Sequence, residues 1–114
     1  PARAAGGEAA ALSRRLAVLV DRWEAVSEAA VASGPDAAAL ANATAYMEAT
    51  GDLVVAHLWL SQLLAIGDRE GDFFAGKRQA ARFFFAHELP RVAAQLDLVA
   101  GPDRTVLEMR DEWF

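Results

Sequence analysis

The chain has 114 residues, no cysteine and a formal net charge of −5, from 11 basic and 16 acidic side chains. One domain is the default at that size, and the lack of cysteine excludes disulfides and thiolate metal sites while leaving the redox compartment open. The acidic balance disfavours a nucleic-acid surface, which carries a basic stripe, and a hydrophobic share of 54% argues against disorder.

Ala and Leu are abundant and Tyr46 is the single tyrosine, which favours helix over strand. Neither a signal peptide nor a membrane span is visible in the sequence. The chain begins at Pro1, so a piece of a longer protein is expected. Residues 1–7 (PARAAGG) are small and without an apolar anchor, and read as the end of a linker; residues 8–114 read as the helical domain.

From about Glu8 to Ser33, Leu12, Leu16, Leu19, Trp23, Val26 and Ala30 recur at alternating steps of four and three. That spacing puts all six on one helix face, with Arg14, Arg15, Asp21, Arg22, Glu24 and Glu28 mainly elsewhere. A joint follows at Ser33–Asp36. Gly34 suits the left-handed end of one helix, and Pro35 the first turn of the next. Ser33 with Asp36 resembles a capping box, and the short connection predicts an antiparallel pair.

Pro35–Ile66 reads as one central helix. It has no Lys or Arg, and apolar side chains fall on nearly every side, so cover by protein on several faces is expected. Its densest apolar run, Leu53–Ile66, is interrupted by His57, Ser61 and Gln62, and falls short of an uninterrupted bilayer span. Gly51 lies mid-helix, where glycine costs roughly 1 kcal/mol against alanine. Close approach of the following Phe-rich helix is the expected compensation, which would make Gly51→Leu costly; a kink at Gly51 is the alternative.

The turn Gly67–Gly71 precedes a third helix over about Phe73–Val99, with Asp72 as its expected cap. Ala81, Phe85, Leu89, Val92, Leu96 and Val99 form its buried stripe, widened by Phe74 and Phe84. Lys77, Arg78, Arg82 and Arg91 are candidates for its wet side. Pro90 predicts a kink or a split, with Leu89 pushed from helical angles. After Gly101-Pro102-Asp103 comes a tail rich in apolar residues. Docking of Trp113 and Phe114 on the bundle is expected, with burial against a partner as the alternative. The expected fold is therefore all-α: an antiparallel bundle of three long helices with a docked C-terminal tail.

Chemistry is hard to find in these residues. There is no Gly-rich strand–turn–helix for a dinucleotide, no phosphate loop, and no Ser placed as an activated nucleophile. Di-iron bundles use Glu-x-x-His pairs, which are absent, and His57, His87, Glu48, Asp52 and Glu88 do not converge in an antiparallel arrangement. Both histidines read as hydrogen-bonded interior or interface residues. Phe73, Phe74, Phe83, Phe84 and Phe85 with Trp59 read as core, with an acyl-chain cavity as the alternative. Arg78, Arg82 and Arg91 read as a solvated face, with contact to an acidic neighbouring domain as the alternative. No catalytic, cofactor-binding or metal-binding residue is assigned.

Two stretches carry a resemblance. Ala41–Leu60 holds Tyr46, then Gly51, Val55 and Trp59 on one helix. Gly76–Pro90 holds Lys77, then Ala81, Arg82, Phe83, Phe84, Leu89 and Pro90. With the ending Asp103–Phe114, they resemble the extra C-terminal helical domain of the large bacterial acyl-CoA dehydrogenases, the group that includes methylmercaptopropionyl-CoA dehydrogenase. The resemblance covers about Ala9 to Phe114. It implies a cytoplasmic parent flavoenzyme that binds FAD and oxidises an acyl-CoA across its α–β bond, in catalytic domains outside this chain. This segment would then supply packing on the catalytic core, at the subunit interface of a homo-oligomer, or both. A free-standing helical interaction or dimerisation module is the alternative.

Overall fold

The computed structural model describes residues 2–34 and 36–114, with the side chains of the first helix from Gly7 onward. It is all-helical, with no strand among the described residues. Helix α1 is Ala2–Ser33, α2 Ala37–Ala41, α3 Ala43–Ile66, α4 Asp72–Phe83 and α5 Arg91–Ala100, with a π-helical turn at Phe84–Glu88 joining α4 to α5. A short α6 (Thr105–Glu108) and a 3-10 turn (Asp111–Trp113) end the chain.

The core is where the apolar stripes meet. Leu12, Leu16 and Val26 of α1, Ala49, Leu53, Ala56 and Leu60 of α3, and Phe85, Leu89, Val92 and Leu96 form one buried cluster. Leu19, Trp23, Trp59, Leu63, Phe84 and Val99 pack half-buried around it. α1, α3 and α5 each touch the other two.

Polar seams fix the pairing. Between α1 and α3, Trp23 Nε1 donates to Thr50 Oγ1 (2.8 Å), which donates to Tyr46 O (2.8 Å). Ser27 and Tyr46 share a 2.7 Å hydroxyl contact, so Ser27 is an inter-helix partner. Between α1 and the last helices, Arg82 clasps Glu8 through Nε (2.5 Å) and Nη2 (2.9 Å). Arg22 pairs with Asp97 and donates to Ala93 O (3.3 Å).

Several expectations need correction. α1 begins at Ala2, ahead of Glu8. Gly34 does end it in the left-handed region (φ 76°), but Ser33 bonds back to Ala29 O and Ala30 O and caps nothing ahead. Asp36 is itself the cap of α2, accepting from Ala39 N at 2.7 Å. The role expected of Pro35 lies outside the described residues. The central helix is not continuous: it breaks at Asn42 (φ −107°, ψ 11°). The buried Asn42 amide donates to Ala38 O (2.8 Å) and to Asp103 O (2.9 Å), so the break ties the turn after α5 to the helix joint. Asp72 lies in the first turn of α4, and Gly71 (φ 125°) occupies the cap position. There the acidic side chain favours the helix's positive end without a capping bond.

Pro90 divides the third helical arm, though Leu89 keeps helical angles (φ −59°, ψ −38°). The widened π turn makes this feasible. Leu89 N donates five residues back, to Phe84 O at 2.9 Å, so the chain gains room for the proline ring.

The docked tail is also corrected. α6 touches α2, but Trp113 is 63% and Phe114 94% exposed. Arg110 covers part of the Trp113 ring and pairs with Glu112, so the tail's contacts at its end are local.

Candidate interaction surface

The radius of gyration is 18.0 Å, against about 13 Å for a compact chain of this length. The shortest extent between Cα atoms is 14 Å, the thickness of two helix layers whose axes lie about 8–10 Å apart. A body this thin cannot enclose a helix, and α3 is accordingly covered on one side only. Its inner face is Ala49, Leu53, Ala56 and Leu60. On the opposite face Thr44, Met47, Gly51, Val54, Leu58, Ser61 and Ala65 are all exposed, Val54 by 55% and Leu58 by 53%. The expectation of cover on every flank is therefore overturned within this chain.

The outer residues recur at steps of three and four, the spacing of a helix-packing seam. None of the seven is charged. Val55 and Leu64 extend the apolar surface to either side. By length and composition α3 is also long and apolar enough to cross a membrane, because the mean absorbs His57, Ser61 and Gln62.

Gly51 sits on this outer stripe. A Cβ added there would meet nothing within 4 Å, so the expected contact with the Phe-rich helix does not exist. The expected cost of Gly51→Leu falls with it. Gly51→Ala should instead stabilise the isolated chain by about 1 kcal/mol, the helix-propensity difference alone. Thermal melts at low protein concentration check this; a lowered Tm would reveal a contact inside the chain.

The basic residues of the third arm are already engaged. Arg78 donates to Gly67 O (3.1 Å) and Arg69 O (2.6 Å) at the end of α3. Arg91 pairs with Glu88 at 2.7 Å, and Lys77 lies between the Trp59 and Phe73 rings. The aromatic residues scatter. Phe85 is core, Phe84 half-buried, and Phe73 and Phe83 are exposed, so they line no common cavity. His57 and His87 are exposed rather than interior, with His87 stacked on Phe83 at 4.5 Å. Among the described residues no group of three or more His, Asp or Glu could hold a metal.

One polar spot on the α3–α5 seam is strained electrostatically. Asp52 Oδ2 is buried without a hydrogen-bond partner, and Arg91 is 3.6 Å away. Burial raises the Asp52 pKa above the usual carboxylate value; Arg91 opposes this and Glu88 and Glu48 reinforce it. A raised carboxyl pKa means that stability is fullest in acid and falls as pH rises through that value. Asp52→Asn should therefore raise Tm at pH 7, with the gain vanishing once acid protonates the wild-type side chain. A gain that persists in acid would assign the effect to packing.

At the far end, Val26, Ala30, Leu40, Tyr46, Val99 and Pro102 line an open groove of about 750 Å³. Among the described residues its one charged lining side chain is Asp36, of the wrong sign for the phosphates of a flavin dinucleotide or of coenzyme A. The groove therefore does not fit either group.

A family model described as "acetyl-CoA dehydrogenase C-terminal like" matches residues 2–110. No curated protein and no solved structure matches the chain.

Proposed function

The chain belongs to the family of acetyl-CoA dehydrogenase C-terminal-like domains, and from that premise we propose that it is the packing domain of an FAD-dependent acyl-CoA dehydrogenase of the cytoplasm. In this reading the oxidation of acyl-CoA takes place in the parent's catalytic domains, where the flavin and the substrate bind. This segment contributes a rigid helical body that docks on those domains, on a second subunit, or on both.

We read the body as an antiparallel bundle of three rods, α1, α3 and α4–α5. The pairs Trp23–Thr50 and Ser27–Tyr46 support opposite directions for α1 and α3. Gln95–Glu48 and Arg91–Asp52 support the same for α3 and α5.

The observation that carries the proposal is the bare outer face of α3 on a chain that matches this family over nearly its whole length. A lone domain gains nothing by wetting Met47, Val54 and Leu58, whereas a docking domain buries them on assembly. The test is the reading frame around this chain, followed by purification of the full polypeptide. The full protein should carry flavin absorbance and oxidise acyl-CoA with an electron acceptor, and this chain alone should do neither. A frame without an acyl-CoA dehydrogenase region would overturn the proposal.

A further inference from the structure

We infer that the outer stripe of α3 is a self-association surface, on which a second copy of this chain packs antiparallel across a two-fold axis midway between Gly51 and Val54. The inference rests on the reading of this chain as a packing domain, and names the occupant of one of its faces.

The stripe is close to a palindrome. From the midpoint outwards it reads Gly51, Met47, Thr44 in one direction and Val54, Leu58, Ser61 in the other. A two-fold axis therefore places Gly51 against the partner's Val54, Met47 against the partner's Leu58, and Thr44 against the partner's Ser61. Each pairing is chemically sound. A glycine receives a branched side chain, two long apolar side chains meet, and two hydroxyls come within reach of each other. Alternating steps of three and four make the positions symmetric on any helix; what favours a second copy is that side-chain types match across the axis, Met47 with Leu58 and Thr44 with Ser61.

Three further observations agree. Every stripe residue is exposed and uncharged, so apposing two copies buries no like charges. A Cβ at Gly51 would meet nothing within 4 Å among the described residues; a close-approaching helix gives that mid-helix glycine a packing reason, as small residues do at other helix crossings. Antiparallel packing also opposes the two helix dipoles favourably.

The paired seam from Thr44 to Ser61 is about 26 Å long at 1.5 Å per residue. One helix face of that length buries less than the roughly 800 Å² per partner of a standard interface. The chain alone should therefore associate weakly, and trapping is the suitable assay. The natural chain has no cysteine to confuse it.

Gly51→Cys and Val54→Cys variants are made separately, mixed and mildly oxidised. The mixture should yield a covalent dimer joining positions 51 and 54, well above the yield from either variant alone. Met47→Cys mixed with Leu58→Cys should behave likewise. Gly51→Leu, introduced beside Met47→Cys and Leu58→Cys, should lower that second yield at least tenfold while its circular dichroism and Tm show an intact helix. Dimers formed best by each single variant alone would indicate parallel packing and overturn the inference. So would absence of any dimer, or sedimentation of the chain with neutral phosphatidylcholine vesicles in place of dimerisation. A monomeric chain that still docks on the parent's catalytic domains would also overturn it, leaving the packing-domain reading intact.

Discussion

Phe85→Ala should remove about 3–5 kcal/mol of stability, the range for truncating a buried aromatic side chain. Phe85 is 1% exposed and lies in the buried cluster to which α1, α3 and α5 contribute. It also sits inside the π turn, where the backbone is fixed by Leu89 N to Phe84 O and cannot collapse freely into a cavity. A domain of this size has on the order of 5–15 kcal/mol to lose. The variant should therefore melt at a much lower temperature than the parent chain, and Phe85→Leu should recover part of the loss. Denaturant titration with circular dichroism reads both. A loss under 1 kcal/mol would place Phe85 outside the core.

Arg15→Ala should cost about 2 kcal/mol, more than an exposed arginine normally contributes. The reason lies in Pro90. In a regular α-helix the Phe85 carbonyl would accept from Leu89 N, but the π turn directs that donor to Phe84 O. One residue further on, Pro90 has no N–H to offer. The Phe85 carbonyl is left to a side chain, and Arg15 Nη2 donates to it at 2.8 Å while its guanidinium lies over the Phe85 ring at 5.9 Å. An orphaned part-buried carbonyl explains why this arginine matters. Pro90→Ala returns a donor to that position, so Arg15→Ala should cost less in that background. A double-mutant cycle measures the coupling. Additive costs would show that Arg15 and Pro90 act independently.

The buried stripes were legible because periodicity survives without tertiary information. Leu12, Leu16 and Val26 on α1, and Phe85, Leu89, Val92 and Leu96 on the last arm, face inward as their spacing predicts. The all-helical class follows from the same patterns, and the family from the resemblance carried by the stretches Ala41–Leu60 and Gly76–Pro90. Three features were not legible, each for a physical reason. An apolar-all-round helix predicts cover but not whose cover, so Val54 and Leu58 read as buried although only association could bury them. Asn42 in a run of alanines gives no local sign of a break; its tie to Asp103 O spans 61 residues. Leu89 kept helical angles because a π turn absorbed the proline, a solution that residue-by-residue propensity does not contain.

The interaction surface was half visible. Gly51 stands out by its helix cost, which calls for a close neighbour. Among the described residues a Cβ at Gly51 meets nothing within 4 Å, so the cost alone does not say where that neighbour lies. Steps of four and three also link the outer residues Met47, Gly51, Val54 and Leu58, and a second seam on one helix is the signal that would have located the face.

Hydroxyl-radical footprinting of Met47 and Leu58, read by mass spectrometry, tests most directly whether α3 is bare alone and covered on assembly. The dilute 114-residue chain should be oxidised readily at both positions, and the full polypeptide that contains it should be strongly protected at both. Equal oxidation in the two samples would contradict the account.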